Sequence, residues 1–270
     1  MRSGKIRIKR YKSSRRRGVF LLILSVPVLL AAGFFLFRQG VISLPSFSGI
    51  ALSQADMQQQ TRVLTLPGAT HFALQLGAFS EKGGADALAQ DYQGRGAGCY
   101  IWHQDGYRVL AAAYETREDA RAVQQRLMDA HGVDAYLYTL TRSEVTLRLT
   151  GQKAQLDALS DAYDLCVQLT ATLARLSEEL DSGSMNETEV RSALLSQQET
   201  VAVLNSRLLS LFSKEEHPAV SALTKLMESA LSDISAALDA ANATRLGSRV
   251  KYCQLHLLCS LEQYVSSLSP

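Results

Sequence analysis

Apolar and polar residues alternate from Phe72 to Leu76 in the stretch HFALQLGAFS, and similar strand-like runs return in GCYIWH, YRVLAAAY and DAYLYTL. A period of two sends successive side chains to opposite faces of a sheet, so each run predicts a strand. Between the first and second runs, KGGADALAQDYQ sets Ala85, Leu88, Ala89 and Tyr92 at helical spacing. A turn at Gln104-Asp105-Gly106 joins the second run to the third. Before the fourth, TREDARAVQQRLMDAHG predicts a helix capped by Thr116, with Asp119 three residues on, and ended by Gly132. Residues 71–140 therefore read β-α-β-β-α-β. That order closes into a four-stranded antiparallel sheet with both helices on one face and the other face open.

Beyond Gly151 the period changes from two to steps of three and four, in four apolar stripes. They run through Leu156, Tyr163, Cys166 and Leu173; through Val190, Leu194, Val201 and Leu208; through Val220, Leu223, Met227, Ile234 and, at its end, Ala241; and through Val250, Cys253, Leu257, Leu261 and Tyr264. Such steps predict amphipathic helices. Asn186 with Glu189 three residues later, Pro218 in a first turn, and the break at NATRLGS separate them. Residues 152–270 thus predict an antiparallel four-helix bundle, and the class is α+β. Residues 141–151 predict a connector, or an additional edge strand over Val145–Thr150.

The N-terminal part has a different logic. Val19–Phe37 is 19 residues long, with only Ser25 and Pro27 off its apolar pattern. As a helix it spans roughly 29 Å, about one hydrocarbon core. Residues 1–18 form a basic tail with nine Lys/Arg and no acid, against Arg38 alone just after the segment. The positive-inside rule predicts a single-pass membrane protein with a cytoplasmic N-terminus and extracytoplasmic C-terminal domains. A cleaved signal is disfavoured, since its apolar region is usually shorter and LLAAGFF is a poor cleavage site. Residues 38–70, with SLPSFSG, SQADMQQQ and LPGAT, predict a linker.

Charge and cysteine usage narrow the chemistry. With the tail set aside, 19 basic residues face 26 acidic ones, which argues against a nucleic-acid partner. Cys99, Cys166, Cys253 and Cys259 make no dense disulfide framework. Buried thiols are the expectation, with a Cys166–Cys253 bridge as the alternative in an oxidising compartment. Cys253, His256 and Cys259 have a metal-like spacing, but on a helix the two cysteines point roughly 120° apart, so no metal site is expected. No nucleophile–base pair or carboxylate pair stands out. The chain is expected to be no enzyme and to need no cofactor.

Alternation assigns candidate binding residues to the open face. Gln75 projects from it with an amide that both donates and accepts. Gly77 would keep the surface low enough for a polymer to approach the backbone. Tyr100 and Trp102 on the second strand point the same way, and aromatic faces suit the apolar faces of sugar rings. Arg108 on the third strand offers donors to carboxylate or acetamido oxygens. The same residues are also what an ordinary solvated sheet face would show.

FALQLGAF, ADALAQDYQGRGAGCYIW and DGYRVLAAAYETREDARAVQQRLMDAHGVDAYLY together resemble the SPOR (sporulation-related repeat) domain family of bacterial envelope proteins. Gln75, Gly77, Phe79, Gly98, Tyr107, Arg108, Val109, Glu118, Ala120 and Gly132 occupy the family's pattern positions. Ala78, Cys99 and Ala111–Tyr114 depart from it, Ala78 standing where the family usually has Ser. The resemblance implies peptidoglycan binding, notably to glycan strands stripped of stem peptides, at division or sporulation sites. It adds Tyr107 to Gln75, Gly77, Tyr100, Trp102 and Arg108 as glycan-binding candidates. The alternative function is an envelope scaffold that binds no sugar and recruits a protein partner through the bundle.

Overall fold

The structure is a computed structural model, and it describes residues 58–212 and 217–268. The basic tail, the apolar segment 19–37 and the linker as far as residue 57 lie outside the described residues. No helix among those described is long and apolar enough to cross a membrane.

In chain order the elements are β1 (Gln59–Leu66), β2 (Ala69–Phe79), α1 (Lys82–Gln93), β3 (Tyr100–His103), β4 (Tyr107–Tyr114), α2 (Arg117–His131), β5 (Tyr136–Arg142), β6 (Val145–Gln152), α3 (Lys153–Ser182), α4 (Glu187–Leu211), α5 (Pro218–Leu238) and α6 (Ala243–Leu268). β3, β4, β2 and β5, in that order, form the antiparallel four-stranded sheet, with α1 and α2 on one face. Local signals act as expected. The Thr116 side chain accepts from the Asp119 amide, Gly132 ends α2 with a φ of 63°, and Asn186 and Glu189 build a reciprocal capping box on α4.

The alternation of β2 is interrupted. Register shifts on either side of Gln75 place Leu74 opposite Ala112, Gln75 opposite Leu110, and Gly77 opposite Val109. A bulge adds a residue to one strand and turns the side chains beyond it over. Leu74 and Leu76 both pack under the helices, and Gly77 joins them: a Cβ there would sit 2.9 Å from a Leu88 methyl and 3.0 Å from the Phe79 ring. Gly77 therefore serves helix packing, and it is Ala78, paired with Arg108, that returns to the opposite face.

Two expectations change at the ends of the sheet module. Residues 59–66, within the stretch read as linker, are strand β1. The additional strand, β6, pairs with β1 along its whole length from Gln59↔Gln152 to Leu66↔Val145, rather than with the main sheet. QQTRVLTL has the required alternation: Arg62, Leu64 and Leu66 turn inward while Thr61, Val63 and Thr65 face solvent. Arg62 meets Asp157 of α3 at 2.8 Å, and Leu66 joins the bundle core. The sheet module is thus joined to this ribbon by two adjacent links, Pro67-Gly68 and Ser143-Glu144.

Helices α3 to α6 form the bundle. Each packs on the next and α6 returns against α3. Their predicted stripes build one core, including Tyr163, Cys166, Leu194, Met227, Ile234 and Leu261. Ala241, counted in the third stripe, lies past the end of α5 and is exposed. All four cysteines are free and buried.

The largest departure concerns the sheet face expected to be open. Helix α6 lies across it. One side of α6 supplies Val250, Cys253, Leu257 and Leu261 to the bundle core. Its other side supplies Leu255, Leu258 and Cys259 to a second cluster with Ala73, Trp102, Leu110, Ala113 and Leu140 of the sheet. A helix apolar around most of its circumference is buried on both sides, and LHLLCSL carries that signal.

Candidate functional site

Cross-strand register defines three rows of side chains on the α6-facing side of the sheet. They are Tyr138–Ala73–Ala113, Tyr136–Gln75–Leu110–Tyr100 and Ala78–Arg108–Trp102. Directly opposed residues share a face, so these rows map the surface. Helix α6 packs across β3, β4 and β5, covering Trp102, Leu110, Ala113, Ala73 and Leu140, while Gln75, Arg108 and Tyr136 lie outside that apolar cluster.

The covered part holds two of the candidates. Trp102 is only 2 % exposed, packed with Leu255, Leu258 and Cys259. It faces the predicted side but lies under the helix instead of in solvent. Tyr100 stacks on His256, with ring centroids 5.1 Å apart, and meets Tyr252 edge-on at 5.5 Å. Burial raises the Tyr100 phenol well above its ordinary value. His256 is held in turn by Asp233 at 2.6 Å. The Cys253, His256 and Cys259 side chains therefore diverge, into the bundle core, toward Asp233 and Tyr100, and into the sheet cluster respectively.

The free part gathers a compact polar–aromatic strip. Arg108 donates from Nη1 to the Gln75 amide oxygen at 3.2 Å, and its guanidinium lies 4.9 Å from the centre of the Tyr138 ring. Tyr138 reaches across the sheet, its hydroxyl donating to Gln104 Oε1 at 3.1 Å, and Trp102 Nε1 donates to the same oxygen at 3.3 Å. Tyr136, opposite Gln75, is 58 % exposed. Among the described residues Arg108 makes no ion pair, and its Nε has no hydrogen-bond partner. The strip is thus an arginine held in place by an amide and an aromatic ring, with its charge uncompensated. Such a group suits an anionic or carbonyl-rich ligand.

Tyr107 is on the other side. It joins the cluster beneath α1, opposite Phe79, and stacks on His103 at 4.5 Å. Of the six candidates, the structure brings together Gln75 and Arg108 at the free strip, sets Tyr100 and Trp102 under α6, and turns Gly77 and Tyr107 toward the helices. The contribution of Tyr138, Tyr136 and Gln104 was missed. DAYLYTL offered a signal, since its alternation sends Tyr136 and Tyr138 to one face.

The site is thus a βαββαβ sheet with an amide–guanidinium–tyrosine strip on the face away from α1 and α2. Residues 68–139 match the family model of the SPOR domain. Domains of this kind generally bind peptidoglycan, and the match supports that coarse role for this region. No curated protein and no solved structure matches the chain.

Proposed function

We propose that the chain is a membrane-anchored, non-enzymatic envelope protein that binds peptidoglycan glycan strands stripped of stem peptides, at sites of division or sporulation. The observation that carries this reading is the uncompensated Arg108 on the strip with Gln75 and Tyr138, inside the region matched to the SPOR domain. Cleaving the stem peptide from its muramic acid turns an amide into a free carboxylate. That is the group for which an unpaired guanidinium discriminates. Tyr136 and Tyr138 offer ring surface to the sugar, and Gln75 its amide to hydroxyl or acetamido groups. The hydropathy of residues 19–37 and the basic tail support an anchor that leaves the strip outside the membrane.

The test is retention of the full chain on peptidoglycan before and after amidase treatment. Retention is expected to rise on the treated polymer, to weaken with added salt, and to drop about ten-fold or more in Arg108→Gln, the scale of one charge-assisted contact. Equal, negligible retention on both polymers, by the wild type and also by a chain in which α6 is loosened from the sheet, would overturn the reading. A second reading has an observation in its favour: α6 covers Ala73, Trp102, Leu110, Ala113 and Leu140 of the sheet face, as expected of a scaffold whose sheet no longer serves sugar. Negligible retention together with a protein partner captured by the bundle would select it.

A further inference from the structure

We infer that α6 is a built-in competitor for the glycan face, and that the sheet module swings away from it about the paired links Pro67-Gly68 and Ser143-Glu144. This rests on the proposed glycan-binding function. The residues that α6 covers, Tyr100 and Trp102, continue the same cross-strand rows as Gln75 and Arg108. A ligand that runs along those rows meets the strip first and then the helix.

The chain path permits the motion. The module leaves and re-enters the β1–β6 ribbon at neighbouring points, where Arg142 Nε donates to the Pro67 carbonyl at 3.2 Å. Rotation at these two adjacent links, which lie outside the strands, leaves both the bundle and the sheet intact, the usual arrangement of a domain hinge. The closed state is held by the apolar cluster and by a few polar ties. Gln254 Nε2 donates to the Ala113 carbonyl at 3.0 Å, the Ser248 hydroxyl to the Ala97 carbonyl at 2.7 Å, and Lys251 Nζ to the Gly96 carbonyl at 3.0 Å. A further close approach is at Gly98. A Cβ there would lie 2.9 Å from the backbone of Lys251 and Tyr252, so the absence of a side chain is what lets the α1–β3 connection close on α6. Glycan binding to the exposed rows favours the open state, and docking of α6 opposes binding by the same free energy.

Gly98→Ala is a wedge at that contact, and Gln254→Ala removes a tie without adding bulk. Both are made in the full chain, with far-UV circular dichroism as the check on folding. Opening is read apart from glycan, by the rate at which Cys259, fully buried between α6 and the sheet, reacts with a maleimide. The expected result is faster Cys259 labelling and retention on amidase-treated peptidoglycan raised about three-fold or more, since loosening the closed state returns the fraction lost to it. Wild-type retention that is strong and unchanged in variants whose Cys259 labels faster would overturn the competitor role and leave the glycan reading intact. Negligible retention of the wild type and of both variants would overturn both. A Gly98→Ala chain that loses its helical signal leaves Gln254→Ala to decide between these results.

Discussion

Trp102 shows how a side chain can face the side that alternation assigns and still have another task. Its ring is sealed by Leu255, Leu258 and Cys259, and only its Nε1 reaches a polar partner, Gln104. Trp102→Ala is therefore expected to act as a core truncation, lowering unfolding free energy by about 3–5 kcal/mol in urea titration. A change below about 1 kcal/mol would instead mark an exposed contact residue. Gln75 lies on the side of the sheet that alternation gives it, because alternation holds from Phe72 up to it. Gly77 was not, because the bulge beside Gln75 costs one residue of register and inverts the facing of the residues beyond it. A bulge is set by pairing with β4 and by the Phe79 and Leu88 packing, and neither is visible in HFALQLGAFS alone.

Among the elements, those with their own start and stop signals were the most legible. Asn186 is the clearest case: its side chain accepts from the Thr188 amide at 2.9 Å and the Glu189 amide at 3.1 Å, while Glu189 returns a bond to the Asn186 amide at 2.8 Å. Asn186→Ala should cost about 1 kcal/mol, measured as a shift of the urea midpoint at unchanged slope, while Asn186→Asp retains most of it. Strand β1 lacked such punctuation. It comes after a turn-rich stretch, and its paired residues in β6 lie 79 to 93 positions away, so its pairing belongs to tertiary structure. Helix α6 was placed correctly as a bundle helix and read on one side only. Its second apolar side, Leu255, Leu258 and Cys259, stood in the sequence, but a four-helix pattern absorbs one stripe per helix and left that side without an assigned partner.

At the scale of the whole molecule, α6 belongs to two cores, and the four thiols report on them separately. Cys99 lies in the cluster beneath α1, Cys166 and Cys253 in the bundle, and Cys259 between α6 and the sheet. Burial pushes the Cys99 and Cys166 thiols up to about 12, and raises those of Cys253 and Cys259 further. A buried thiol with a raised pKa is inert until an opening exposes it. In native buffer near pH 8, Cys259 is expected to react ahead of Cys166 and Cys253, which become reactive only across the global urea transition. Mass mapping of a maleimide time course gives the order. Simultaneous reaction of all four would mean that the molecule opens only by unfolding as one.

The sequence by itself determined the local structure: which runs are strands, where helices start and stop, and which stripe of each helix meets a bundle. These come from periods of two and 3.6 and from caps, which act over a few residues. It also placed a glutamine and an arginine on the strip where the structure finds them hydrogen-bonded. Only the tertiary structure decided how much of that sheet face is free. The cover comes from residues more than 140 positions after Gly98, and the choice between solvent and α6 rests on burial that no local pattern encodes.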